Sequence, residues 1–132
     1  MATASPKVDT QAPTAKPSEP ELKPPTAASS YSDRLVADGE KYLYGDGVSP
    51  NCNRAQKKLT AAAKRLNAKA QSLLGTMYAT GHCVNRDLPT AYRWFAKALH
   101  QDPNNKRVQQ DLEVLWRQMT ADERQVALRG AQ

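Results

Sequence analysis

Apolar residues recur three and four positions apart along most of this chain, the spacing of a buried helix face. Ala70, Leu73, Leu74, Met77 and Tyr78 make one such row, and Ala91, Trp94, Phe95, Ala98 and Leu99 make the next. Two earlier rows are Leu35, Val36 and Leu43, then Ala55, Leu59, Ala62, Ala63 and Leu66. A later one is Val108, Leu112, Leu115 and Trp116. No run alternates with period two, so no strand is expected. Residues that cap or stop helices stand between the rows. Gly81 reads as a C-terminal stop, and Asp87 as a cap with Pro89 tolerated in the first turn behind it. Asp102-Pro103 reads as a cap followed by proline, and Thr120 with Glu123 as a capping box. The pattern predicts helices at about 33–44, 51–66, 68–79, 88–101, 104–118 and 121–129.

The rows repeat. At an offset of 36 residues, Gly39, Tyr42, Gly45, Val48, Ala55 and Ala62 fall on Gly75, Tyr78, Gly81, Val84, Ala91 and Ala98. Asn51 pairs with Asp87, Lys57 with Arg93, and Leu59 with Phe95. Each unit therefore reads as a helix, a glycine-bearing loop and a second helix. Identities concentrated at Gly and Ala point to places where backbones pack closely.

The run Leu74-Gly75-x-x-Tyr78-x-x-Gly81-x-x-Val84-x-x-Asp87-x-x-x-Ala91-x-x-Trp94-x-x-x-Ala98 resembles the Sel-one-like repeat, a branch of the tetratricopeptide-type α/α solenoids. The resemblance covers about residues 36–102. The first unit departs from it, with Asp38 where Leu74 stands and Lys58 where Trp94 stands, and reads as a terminal, partly degenerate repeat. The last hairpin lacks the Gly/Tyr signature and reads as a cap. The resemblance implies an all-α, short solenoid of two repeats plus a C-terminal capping hairpin, acting as a non-catalytic protein-interaction scaffold. Stacked hairpins bury a continuous core and present a curved surface, which supports that role independently. Trp94, Phe95 and Trp116 are expected in the core.

Composition sets the remaining bounds. The chain has 132 residues and a formal net charge of +6. Six of its nine prolines lie in residues 1–30, where Val8 and Leu22 are the large apolar residues after Met1. That segment is expected to be a disordered Pro/Ala-rich tail or linker, and residues 31–132 the helical repeat domain. The tail's charges cancel, Lys7, Lys16 and Lys23 against Asp9, Glu19 and Glu21, so the excess positive charge belongs to the domain. No window approaches the eighteen apolar residues of a membrane span, and no signal-peptide pattern opens the sequence.

Two cysteines allow at most one intramolecular bridge. Cys52 opens one second-position helix, and Cys83 lies in the loop before the next. Stacked repeats bring such loops to one end, where the thiols either bond or stay as two separate buried groups. A bridge would enclose 30 residues and contribute about 3–4 kcal/mol in the chain-entropy view. It would differ from the disulfides of secreted members of the family, which join the two helices of one repeat. A bonded pair favours a bacterial envelope or periplasmic location, with an anchor ahead of the Pro-rich segment; free thiols favour the cytoplasm. His82 and His100 do not combine with the cysteines into a zinc-like cluster, so neither metal nor cofactor is expected.

Arg54, Lys57, Lys58, Lys64 and Arg65 share one arc of the second helix, opposite its apolar row. This basic stripe is a solvated face, or the contact of an adaptor for an acidic protein, an anionic membrane or nucleic acid. No aromatic residue interleaves it, so nucleic acid is not the expected partner. In a solenoid of this type the first helices of each pair line the concave side. There Lys69, Ser72 and Thr76 fall in a row, with Val36, Glu40 and Tyr44 continuing it on the first helix, and this row is the expected partner groove of a monomer. Paired carboxylates, a phosphate loop and a triad are all missing from the sequence, so catalysis is not expected.

Overall fold

The computed structural model describes residues 27–130, with side chains placed from Tyr31 to Arg129. Its helices are α1 (Ala27–Tyr44), α2 (Cys52–Lys64), α3 (Ala68–Thr80), α4 (Leu88–Gln101), α5 (Lys106–Gln118) and α6 (Ala121–Gly130). No strand occurs among the described residues. The compact unit treated below begins at Ser32. Of the expected Pro-rich tail, residues 27–30 are helical and the rest lies outside the described residues.

The helix starts follow from short polar side chains that accept a backbone N–H otherwise left orphaned. Asn51, Asn67 and Asn105 each take the amide three residues on, at 3.0, 3.0 and 3.1 Å. Asp87 does the same for Thr90 at 3.1 Å. The Thr120 hydroxyl accepts from Glu123 N while Glu123 Oε1 accepts from Thr120 N, the reciprocal box expected there. Asp102 was expected to open α5. It instead closes α4, its N–H donating to Ala98 O, and Asn105 opens α5 at Lys106.

The two repeats copy each other bond for bond at the offset of 36. Gly45 N and Asp46 N both donate to Lys41 O, and Gly81 N and His82 N both donate to Met77 O. Asn51 N donates to Tyr42 O at 2.9 Å, and Asp87 N to Tyr78 O at 2.9 Å. Gly45 and Gly81 sit at φ of 71° and 77°, where a side chain would be strained.

Two apolar clusters form the interior. Leu35, Val36, Leu43, Leu59, Leu74 and Met77 belong to the first, between α1, α2 and α3. Leu88, Phe95, Val108, Leu115 and Met119 belong to the second, around α4. The clusters interlock, since Trp94 of α4 packs on the first and Tyr78 of α3 on the second. Each fully buried leucine contributes about 1.5–3 kcal/mol relative to exposure. Both α5 and α6 rest against α4. Phe95 is fully in the core, whereas Trp94 and Trp116 are half-buried. Each tryptophan keeps a face outside, under Lys97 at 5.6 Å and Arg124 at 5.0 Å.

Leu66 departs from the expected apolar row of the second helix. The helix ends at Lys64, and Leu66 takes φ 66° in a closing turn where Leu66 N donates to Ala63 O and Asn67 N to Ala62 O. The left-handed turn aims its side chain outward, leaving it 62% exposed.

Candidate functional site

Helix α3 meets α1 through Asn67 and Lys69 and shares a groove with α5. Asn67 stands at the start of α3, its Nδ2 donating to Ser32 Oγ at 3.1 Å and Asp33 Oδ1 at 3.2 Å. Between α3 and α5 runs a groove of about 390 Å³. Its α3 wall carries Lys69, Ser72 and Thr76, three of the residues expected to line a partner surface. Phe95, Leu73 and Val108 supply its apolar lining, and Asp102, Arg107 and Asp111 its charged far wall.

The electrostatics of that wall are uneven. Arg107 Nε lies 4.0 Å from Asp111 Oδ1, at the limit of an ion pair. Burial raises the Asp111 carboxyl above the ordinary carboxylate value, and the pull of Arg107 in the other direction does not offset it. Lys69 across the groove is turned toward α1, 3.5 Å from Glu40. Thr76 donates its hydroxyl to Ser72 O.

The other expected groove residues are placed differently. Glu40 stays beside the groove through Lys69. Val36 does not line it: at 4% exposure it is part of the first core cluster, because α1 packs on both α2 and α3 and buries a broader face than a single row. Tyr44 is 59% exposed but stands at the loop end, its ring 6.0 Å from that of His82.

The missed residues are those of α5. Asp102 was read only as a cap, and the Gly/Tyr signature stops before this helix. The signal present was a second offset. Asn67, Ala70 and Met77 reappear 38 residues later as Asn105, Val108 and Leu115, a cap and two buried positions.

The loop end holds the two cysteines, which are bonded to each other as Cys52–Cys83. The bridge ties the start of α2 to the loop that precedes α4. Cys83 has φ 69°, and its counterpart 36 residues earlier is Gly47 at φ 79°. A larger depression of about 670 Å³ opens beside this loop, lined by Gln56, Tyr78, Arg86 and Asp87 among others. Its charged members are already committed, Arg86 Nε to Ala79 O and Asp87 to the cap of α4. The groove between α3 and α5 is the better candidate for a partner.

The basic stripe divides. Arg54 lies over the Tyr42 ring at 5.3 Å and donates to its hydroxyl at 3.0 Å. Lys58 lies 3.7 Å from Asp38. Lys57 and Lys64 point outward on a shallow patch of α2 with Asn53 and Thr60, and Arg65 closes the helix. Arg54 and Lys58 are therefore engaged within the repeat. Among the described residues no cluster of His, Cys, Asp or Glu is arranged to hold a metal ion, and no helix is long and apolar enough to cross a membrane.

Comparison with known proteins agrees with this architecture. The Sel1 repeat model matches residues 35–65 and 68–103. Among solved structures the chain is similar to c5321, a protective antigen present in uropathogenic Escherichia coli strains and displaying an SLR fold. The identity is 28% and the TM-score 0.72, over 80% of this chain and 22% of that one. The chain thus spans about a fifth of that relative's length. No curated protein matches it.

Proposed function

We propose, because the chain belongs to the Sel1 repeat family, that it binds a protein partner in the groove between α3 and α5. Sel1 repeats are generally protein–protein interaction modules. The observation that carries the reading is the groove itself. Lys69, Ser72 and Thr76 on α3 face Arg107, Val108 and Asp111 on α5 across an apolar lining that holds Phe95. Apolar surface framed by polar side chains suits a segment of another protein better than a small substrate. The groove offers no nucleophile with an adjacent base, so contact is the role it supports. The divided stripe on α2 gives a polyanion less to hold, because Arg54 and Lys58 are engaged within the repeat.

The test is affinity capture from the native cells with the full chain and with the double variant Ser72→Arg/Thr76→Arg. Both positions are on the groove wall and outside the core, so circular dichroism should be unchanged. Partners recovered by the parent chain should be lost from the variant. Equal recovery of every partner would discard the groove.

A further inference from the structure

A second surface lies on α2, separate from the groove. Between Asp46 and Asp102 the sequence holds nine Lys and Arg and a single acid, Asp87, so this stretch is +8 in a chain of net +6. Asp87 is spent on Thr90, its Oδ1 accepting from the amide at 3.1 Å and its Oδ2 from the hydroxyl at 2.8 Å. Helix α2 itself has no acidic residue. Its outer stripe is Asn53, Gln56, Lys57, Thr60, Ala61 and Lys64, which line one shallow depression of about 410 Å³. The buried Ala55, Leu59, Ala62 and Ala63 form the opposite face. Lys57 and Lys64 are exposed, and neither has an ion pair or hydrogen bond among the described residues. They differ in this from Arg54 and Lys58, which Tyr42 and Asp38 hold. The stripe therefore presents cations and neutral groups, and a carboxylate brought to it meets no acid on that helix.

Spacing decides the form of the occupant. Lys57 and Lys64 are seven residues apart, two turns of α2 or about 10.5 Å along its axis. A helix laid nearly parallel to α2 reaches both with carboxylates at the same seven-residue interval. An extended segment covers that distance in about three residues, which turns its two acids to opposite faces. Thr60 and Ala61 stand between the lysines, and their short side chains admit the ridge of another helix. The stripe has no aromatic ring to stack a base and no large apolar side chain to enter a bilayer.

We infer that the Lys57–Lys64 face of α2 docks an acidic helix of a partner protein, one that carries two carboxylates seven residues apart and sets its ridge over Thr60 and Ala61. The stripe offers little apolar surface to bury, so the contact is governed by charge and weakens with salt.

The probe is a stapled, alanine-based helical peptide with Glu at positions i and i+7. It is titrated into the isotopically labelled full, disulfide-bonded chain and followed by amide chemical shifts. Shifts should concentrate on α2 around Lys57, Thr60 and Lys64. Affinity should fall about fivefold or more on Lys57→Gln/Lys64→Gln, whose circular dichroism should match the parent because both side chains are exposed. Moving the second Glu to i+4, or replacing both by Lys, should remove most of the binding. The Ser72→Arg/Thr76→Arg chain should bind the probe as the parent does. Absence of shifts on α2 at about millimolar peptide, affinity within twofold on the Gln variant, or equal binding of the i+4 peptide overturns the inference. So does loss of the probe from the Ser72→Arg/Thr76→Arg chain, or tighter binding of a random duplex or of phosphatidylserine vesicles to the same face.

Discussion

Gly75 presses its bare Cα against the ring of Phe95, so that a methyl group built there would stand 2.9 Å from the ring carbons. Thirty-six residues earlier Gly39 meets Leu59 in the same way, at 2.7 Å. These two contacts set how closely the helices of each pair approach. In both cases the obstructing group is deeply buried, so it has no room to swing aside. Gly75→Ala should therefore destabilise the fold by about 1–3 kcal/mol through overpacking, even though alanine is intrinsically the better helix former. The shift of the urea midpoint measures it. An unchanged or higher midpoint would show that Phe95 can yield.

Gln71 gives the opposite expectation. It is 2% exposed, and its Oε1 has no hydrogen-bond partner. Its Nε2 donates to Ala63 O, but that carbonyl also accepts from Leu66 N at 3.0 Å and stays satisfied without it. The equivalent position of the first repeat is the buried Leu35. Gln71→Leu should raise stability by about 1 kcal/mol, because an orphaned buried acceptor is exchanged for apolar contact. A lower melting temperature would refute this.

At Cys83 two effects can be separated by the choice of replacement. Removing the bridge should cost about 3–4 kcal/mol for a loop of this size. The backbone there is left-handed, as it is at Gly47 in the other repeat. The chain carrying Cys52→Ala/Cys83→Gly should therefore be more stable than the one carrying Cys52→Ala/Cys83→Ala, by about 1 kcal/mol. Equal denaturation midpoints for the two would mean that the turn relaxes once the bond is gone.

Asp111 makes stability depend on pH. Its carboxyl binds a proton more tightly in the folded chain than in the unfolded one, where the ordinary value is 3.8. Such a group contributes stability that is full below the unfolded value and is lost as pH rises through the folded value. Asp111→Asn lacks that loss. The stability of the variant relative to the parent should therefore increase from about pH 3 toward neutrality, beginning near the ordinary carboxylate range. Denaturant titrations of both chains across that interval give the difference directly, and a flat or falling difference would contradict the burial argument.

What could be read from the sequence was mainly local. Asp87, Gly81 and the Thr120–Glu123 pair each act through bonds spanning three or four residues, and a chain read in order contains that information. The repeat offset was legible because Gly75 and Tyr78 recur from Gly39 and Tyr42. Leu66 was misread because the apolar period runs past Lys64, where the helix stops and the backbone turns left-handed. Val36 was read twice, in the buried apolar row and in the partner groove, and its place in the core agrees with the row, because α1 packs on both α2 and α3. The far wall of the groove lay hidden for another reason. The link from α4 to α5 is longer, so Asp102, Arg107 and Asp111 stand out of phase with the signature of the earlier units.

The ion pair of Asp38 with Lys58 occupies the places that Leu74 and Trp94 fill in the following repeat. Leu74 and Trp94 seal one repeat onto its predecessor, and both pack on the first cluster. The same two sites in the first repeat are wet and charged, with side chains 45% and 40% exposed. Another hairpin settling there would have to strip water from both ions in exchange for a modest attraction. Docking of a further hairpin on that face is thereby disfavoured by two side chains.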